Sequence, residues 1–128
     1  KYAAGLIGSG GEPNPLLLER LAVLAREMKR SGGGIVLFLP PLLPGMERAF
    51  LAAAHTTAPL RRTKEVLGAW ARDHDLVIID AGQSERYGCV AEEFVDEHHA
   101  LPQCYARIFT RYWSARRAPI EPGLWSGD

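Results

Sequence analysis

Ile35-Val36-Leu37-Phe38-Leu39, closed by Pro40-Pro41, is the stretch whose reading decides the fold. Its five consecutive apolar residues show no alternation of polarity, so a strand built from them has no face made for water. That is the pattern of a parallel strand covered by helices on both sides. The two prolines end it sharply, because neither supplies an N–H to a ladder. Leu76-Val77-Ile78-Ile79-Asp80 repeats the pattern and closes on a carboxylate. On the other side, Tyr2 to Ile7 is an apolar run that ends in Gly8-Ser9-Gly10-Gly11, and it reads as a third short buried strand entering a loop.

Helical patterns fill the spaces between these runs. Asn14-Pro15 is a helix start, with Asn as N-cap and Pro at the first helical position. Leu17, Leu21, Leu24 and Met28 follow at spacings that make one face, which is expected to pack inward. Lys29 and Arg30 suit the negative end of the helix dipole, and Gly32-Gly33-Gly34 ends the helix. Met46 to about Ala54 predicts a second helix. Pro59 is expected to open a third, running to about Asp73 with Leu60, Leu67 and Trp70 inside. Ala81 to His99 reads as a loop rich in glycine and charge. Leu101, Tyr105, Ile108 or Phe109, and Tyr112 give a last helix, and Ala118 to Asp128 is expected to be irregular. Alternating strands and helices imply a single α/β domain over residues 1–128, with a parallel sheet, right-handed crossovers and helices on both faces. Reactive loops in such sheets lie at the carboxyl ends of the strands, here Gly8 to Asn14, Pro40 to Gly45 and Ala81 to His99.

The 128 residues are enough for one domain and too few for two. Fifteen Lys+Arg balance fifteen Asp+Glu, so the basic excess of a nucleic-acid binder is missing. With 47% hydrophobic and 23% charged residues the composition is that of a globular chain. The run from Ile35 to Gly45 is far too short to span a bilayer. Lys1-Tyr2-Ala3-Ala4-Gly5 is neither a signal peptide nor an initiator segment, which leads us to expect a processed chain or a piece of a longer one. Cys89 and Cys104 are too few for a disulfide scaffold, and their separation leaves a single bridge open. A thiol nucleophile at either would need an electropositive setting for which the sequence gives no evidence, and Cys104 falls on the last helix five residues after His99.

Phe94-Val95-Asp96-Glu97-His98-His99-Ala100-Leu101, directly before the last helix, is the strongest chemical motif. Two acids and two imidazoles in four residues allow three readings. In the first, Asp96 accepts a hydrogen bond from Nδ1–H of His99 and holds the ring as a general base; a local turn is enough to bring them together. In the second, His98, His99 and a carboxylate bind a metal, with His55 or His74 as ligands from elsewhere, although adjacent histidines point apart. In the third, the segment is a solvated acidic loop whose histidines cap the helix.

An Asp-x-x-His pair near the C-terminus, preceded by an apolar strand and a loop, resembles the SGNH (GDSL-like) hydrolases. So does a strand ending in Pro40-Pro41. The resemblance covers about Tyr2 to Tyr112. It implies a three-layer, flavodoxin-like sandwich and acyl-ester chemistry of the esterase, deacetylase or O-acyltransferase kind. It further implies His99 as general base, Asp96 as its orienter, no cofactor and no metal, and a small-molecule or carbohydrate ester as substrate. No Gly-Asp-Ser occurs. On one alignment Gly8 to Asn14 holds the place of the family's oxyanion loop, with Asn14 as the shifted oxyanion residue. The nucleophile then lies on N-terminal strands that this chain lacks. An exposed sheet edge would follow, to be covered by the missing N-terminal segment or by a second copy. On a second alignment Ser9, between glycines at a strand-to-helix turn, is the nucleophile.

Arg86 and Tyr87 are candidates for binding an anionic or sugar group, against the plainer reading of a surface Arg over a packed Tyr. Trp113, Arg116, Arg117 and Trp125 could form a partner-binding strip or wrap their own domain. Gly8-Ser9-Gly10-Gly11 fits no nucleotide-binding pattern. From a different class comes the expectation of a non-catalytic fragment or degenerate relative that keeps the fold for binding or assembly.

Overall fold

The computed structural model describes residues 12–114. Helix α1 (Pro15–Arg30) starts as its sequence demands: Asn14 Oδ1 accepts from the backbone N–H of Leu16 at 3.0 Å and of Leu17 at 3.4 Å, and Pro15 takes the first helical position. Ser31 caps its carboxyl end, and Gly32 turns away at φ +77°, a conformation that costs a residue without Cβ little. Its buried residues are Ala22 and Ala25. Leu17, Leu24 and Met28, which the spacing assigned to the inner face, are exposed. The buried stripe runs through two alanines beside the leucines, so periodicity located an apolar face but not the one the fold buries.

Strand β1 (Val36–Leu39) leads through Pro40–Gly45 to α2 (Met46–Ala52) and α3 (Ala54–Asp73), and then to β2 (Val77–Asp80). β1 and β2 pair in parallel, Val36 with Val77 through Leu39 with Asp80. Among the described residues the chain is therefore a mixed α/β structure with a two-stranded parallel sheet. The expected strand Tyr2 to Ile7 and the expected irregular tail from Ala118 lie outside the described residues. Pro59 does not open a helix. It sits in the second turn of α3, beyond the first turn whose N–H groups have no partner inside the helix, so its missing donor removes one bond near the amino end and the helix runs on.

The segment after β2 is more regular than a loop. It holds 3₁₀ turns over Ser84–Tyr87 and Ala91–Glu93 before α4 (Pro102–Ser114). The core gathers here. Ile79, Ala81, Cys89, Cys104 and Ile108 are buried together, with Phe38, Tyr87, Phe94, Ala100, Phe109 and Tyr112 packed against them. Phe38 of β1 meets Phe109 of α4 with ring centroids 5.1 Å apart, which fixes the last helix across the sheet. Cys89 and Cys104 form a disulfide, the alternative the sequence left open, and neither is a free thiol. Closing a loop of this length stabilises the fold by about 3 kcal/mol in the chain-entropy account. No described helix is long and apolar enough to cross a membrane.

Candidate functional site

Because β1 and β2 are parallel, their carboxyl ends open on the same edge, and the loops after them meet. Leu42 bridges to Gln83, and Ser84 Oγ–H donates to the Leu42 carbonyl at 2.5 Å. Gly45 N–H donates to Glu85 Oε2 at 3.4 Å, and Arg48 pairs with Glu85 at 3.1 Å. Leu43 N–H donates to the Glu97 carbonyl at 3.0 Å, joining the first loop to the acidic, His-rich turn. Two of the three loops expected to carry chemistry thus share one edge. The third, from Gly8, lies outside the described residues except near Asn14.

The turn is built on its own backbone. Val95 N–H donates to the His99 carbonyl at 2.8 Å, and Phe94 and Ala100 form an antiparallel bridge whose side chains rest on the core. Below it, Leu101 N–H donates to the Glu93 carbonyl at 2.6 Å, and Glu93 pairs with Arg107 of α4. Inside the turn Asp96 Oδ1 accepts from the backbone N–H of His98 at 2.8 Å and of His99 at 2.9 Å. The Asp96 carboxylate also lies 2.7 and 2.8 Å from His99 Nδ1. The backbone donor of His98, followed by the His99 ring, holds the Asp96 carboxyl below its usual range. A carboxylate against Nδ1 selects the tautomer with its proton there and leaves Nε2 as the basic nitrogen. The His99 side chain is 74% exposed and Asp96 44%, so the pair lies at the surface.

The other expected residues fall as follows. His98 is exposed and enters the turn through its backbone. His74 packs against Trp70, 5.0 Å between rings. Among the described residues no group of three or more His, Cys, Asp or Glu gathers as a metal site. Asn14 gives its side-chain oxygen to the α1 cap. Tyr87 donates its hydroxyl to the Asp80 carbonyl at 2.8 Å, with burial pushing that hydroxyl's pKa up, and Arg111 lies over its ring. These contacts are those of the plainer, packed role for Tyr87. The Arg86 carbonyl accepts from Arg111 at 2.6 Å. Trp113 meets Phe109 at a tilt and Tyr112 edge to face. Ser9, Arg116, Arg117 and Trp125 lie outside the described residues.

One cluster escaped sequence reasoning. Lys64 Nζ of α3 sits between Glu47 of α2 and Asp80 at the end of β2, with Asp80 at 2.6 Å. The three side chains are only 14%, 3% and 6% exposed, respectively. Asp80 Oδ1 accepts from Gly82 N–H at 3.0 Å, and a Cβ on Gly82 would lie 1.7 Å from Glu47 Oε2. This clasp fixes where the chain leaves β2 toward the site. Its signals in the sequence were a lysine in line with Leu60 and Leu67 and an acid closing an apolar strand. No family model, curated protein or solved structure matches the chain.

Proposed function

We infer that the Asp96–His99 pair is the base and orienter of a Ser/His/Asp hydrolase or acyl transferase of the SGNH type, acting on acyl esters. In this reading the fold completes to a three-layer, flavodoxin-like sandwich. The observation that carries it is the hydrogen bond from His99 Nδ1–H to the Asp96 carboxylate in an exposed turn at the carboxyl edge of a parallel sheet. Nε2 of His99 takes the proton of a serine hydroxyl as its oxygen attacks the ester carbonyl. Asp96 stabilises the imidazolium formed, and backbone amides hold the oxyanion. Ser9 supplies the hydroxyl, or a segment outside this chain does.

One observation favours the second reading, a degenerate domain kept for binding or assembly. No serine among the described residues pairs with His99, and Ser84 is buried and bonded to Leu42. Fluorophosphonate labelling separates the two. Labelling of folded chain that is lost in Ser9→Ala places the nucleophile here. Labelling only after an upstream segment is supplied places it there. Absence of labelling in both preparations overturns the enzyme reading. So does ester hydrolysis that is unchanged in His99→Ala, because a general base contributes about 10²–10⁴-fold.

A further inference from the structure

The Cys89–Cys104 disulfide closes the segment that bears the Asp96–His99 turn. Cys89 lies between exposed Gly88 and Val90, and Cys104 is in the first turn of α4. Everything the turn needs lies within or beside the ring so formed: the Phe94–Ala100 bridge, the Leu101–Glu93 bond and the Glu93–Arg107 pair. From Val95 to His99 every residue is exposed, and the turn's tie to the rest of the fold is the bond from Leu43 N–H to Glu97. An exposed turn with so little buried contact belongs to the part of a protein that opens first. Its two anchors, Phe94 and Ala100, pack on the cluster that contains both sulfurs.

We propose that the disulfide is a redox latch: while intact it holds the Asp96–His99 turn against the sheet edge, and reduction by a dithiol releases residues 90–101 while α3, β1 and β2 stay folded. As regulation of catalysis this rests on the hydrolase reading; as a structural device it does not. The exchange is balanced as follows. A thiolate of the dithiol attacks Cys89 Sγ, the sulfur nearer exposed chain, forming a mixed disulfide as the Sγ–Sγ bond breaks. Cys104 leaves as thiolate and takes a proton. The second thiolate of the reagent then attacks the mixed disulfide, so the reagent departs oxidised and Cys89 becomes a thiol. Both sulfurs are buried, Cys104 completely, so the attack waits on an opening of the Gly88–Val90 segment and the latch trips slowly.

The test is amide hydrogen exchange on the full chain in three forms: oxidised, treated with dithiothreitol, and Cys89→Ala/Cys104→Ala. The expected result is at least tenfold faster exchange at the Val95 and Leu101 amides in the last two forms, with the amides of α3 and β2 unchanged. Equal exchange at Val95 and Leu101 in all three forms overturns the latch. Faster exchange throughout α3 and β2 also overturns it, because the bridge would then be a brace of the whole fold. A control distinguishes this failure from failure of the hydrolase reading: in His99→Ala, which loses the ring's bond to Asp96, reduction still speeds exchange at Val95 and Leu101, whatever the variant does to ester hydrolysis.

Discussion

Replacing Lys64 with Met removes the positive charge that, among the described residues, sits between Glu47 and Asp80, while keeping all but the last atom of the side chain and much of its packing. Lys64 Nζ is 2.6 Å from Asp80 Oδ2 and directly bonded to Glu47 Oε1. At a charge separation of about 3 Å and an effective dielectric constant of about 20, each attraction is about 5 kcal/mol before desolvation is counted. Much of that offsets the cost of burying three ions, so the pairs themselves contribute little net stability. Removing one partner is another matter, because it strands two carboxylates that are nearly inaccessible to water. Such losses run to about 3–5 kcal/mol. For a chain of this size, the melting temperature should fall by about 12–20 °C. Thermal unfolding followed by circular dichroism measures that shift, and urea unfolding, with the disulfide kept oxidised, measures the free-energy loss. A companion triple variant, Lys64→Met/Glu47→Gln/Asp80→Asn, leaves no buried charge unpaired and should recover at least half of the loss. A single-variant loss below about 1 kcal/mol, the scale of an exposed pair, or a triple variant no more stable than the single, refutes the reasoning.

Gly82→Ala drives a Cβ into the Glu47 carboxylate and should cost about 2–4 kcal/mol by forcing a buried charge off its partner; the same unfolding measurement checks it, and wild-type stability would mean that Glu47 is free to move. The Asp96 carboxyl is held below its ordinary value of 3.8, so its contribution to the turn is complete above that pH and is lost as pH falls through the lower, folded value. Carboxyl ¹³C shifts across pH 1–6 should place the Asp96 midpoint below 3.8, with His98 and His99 amide shifts moving in step. Asn14→Ala removes the α1 cap and should cost about 1 kcal/mol, whereas Asn14→Asp keeps an accepting oxygen and should cost almost nothing in stability. Any loss of ester hydrolysis in Asn14→Asp therefore reports the side-chain amide as an oxyanion donor rather than the cap.

What was legible in the sequence was what is decided locally. The Asn14-Pro15 start, the two apolar strands and the Asp96-to-His99 turn each depend on a few neighbouring residues, and each formed as expected. What was hidden depends on which distant surfaces meet. Nothing in the spacing of Leu17, Leu24 and Met28 reveals that Ala22 and Ala25 make the contact. Pro59 carries a rule about helix starts that is true of the first turn and indifferent to five residues placed ahead of it. The Lys64 clasp joins three elements, and the approach of Cys89 to Cys104 follows from the docking of α4. The Asp96–His99 contact, one of the three arrangements the sequence allowed, could be read because an Asp-x-x-His turn needs no assembly.

The parallel pairing of β1 with β2 also sets how the chain must assemble. Ser84 and Leu42, which meet where the strands end, are 42 residues apart in sequence, and α2 and α3 lie between them. No short hairpin can nucleate such a ladder, so the crossover helices must be at least partly formed before the two strands find register. Until then Val77, Ile78 and Ile79 are an uncovered strand with both backbone edges open, and self-association competes with folding. Refolding yield should therefore fall as protein concentration rises, and dilution during refolding should help more than any change at the exposed Asp96–His99 turn.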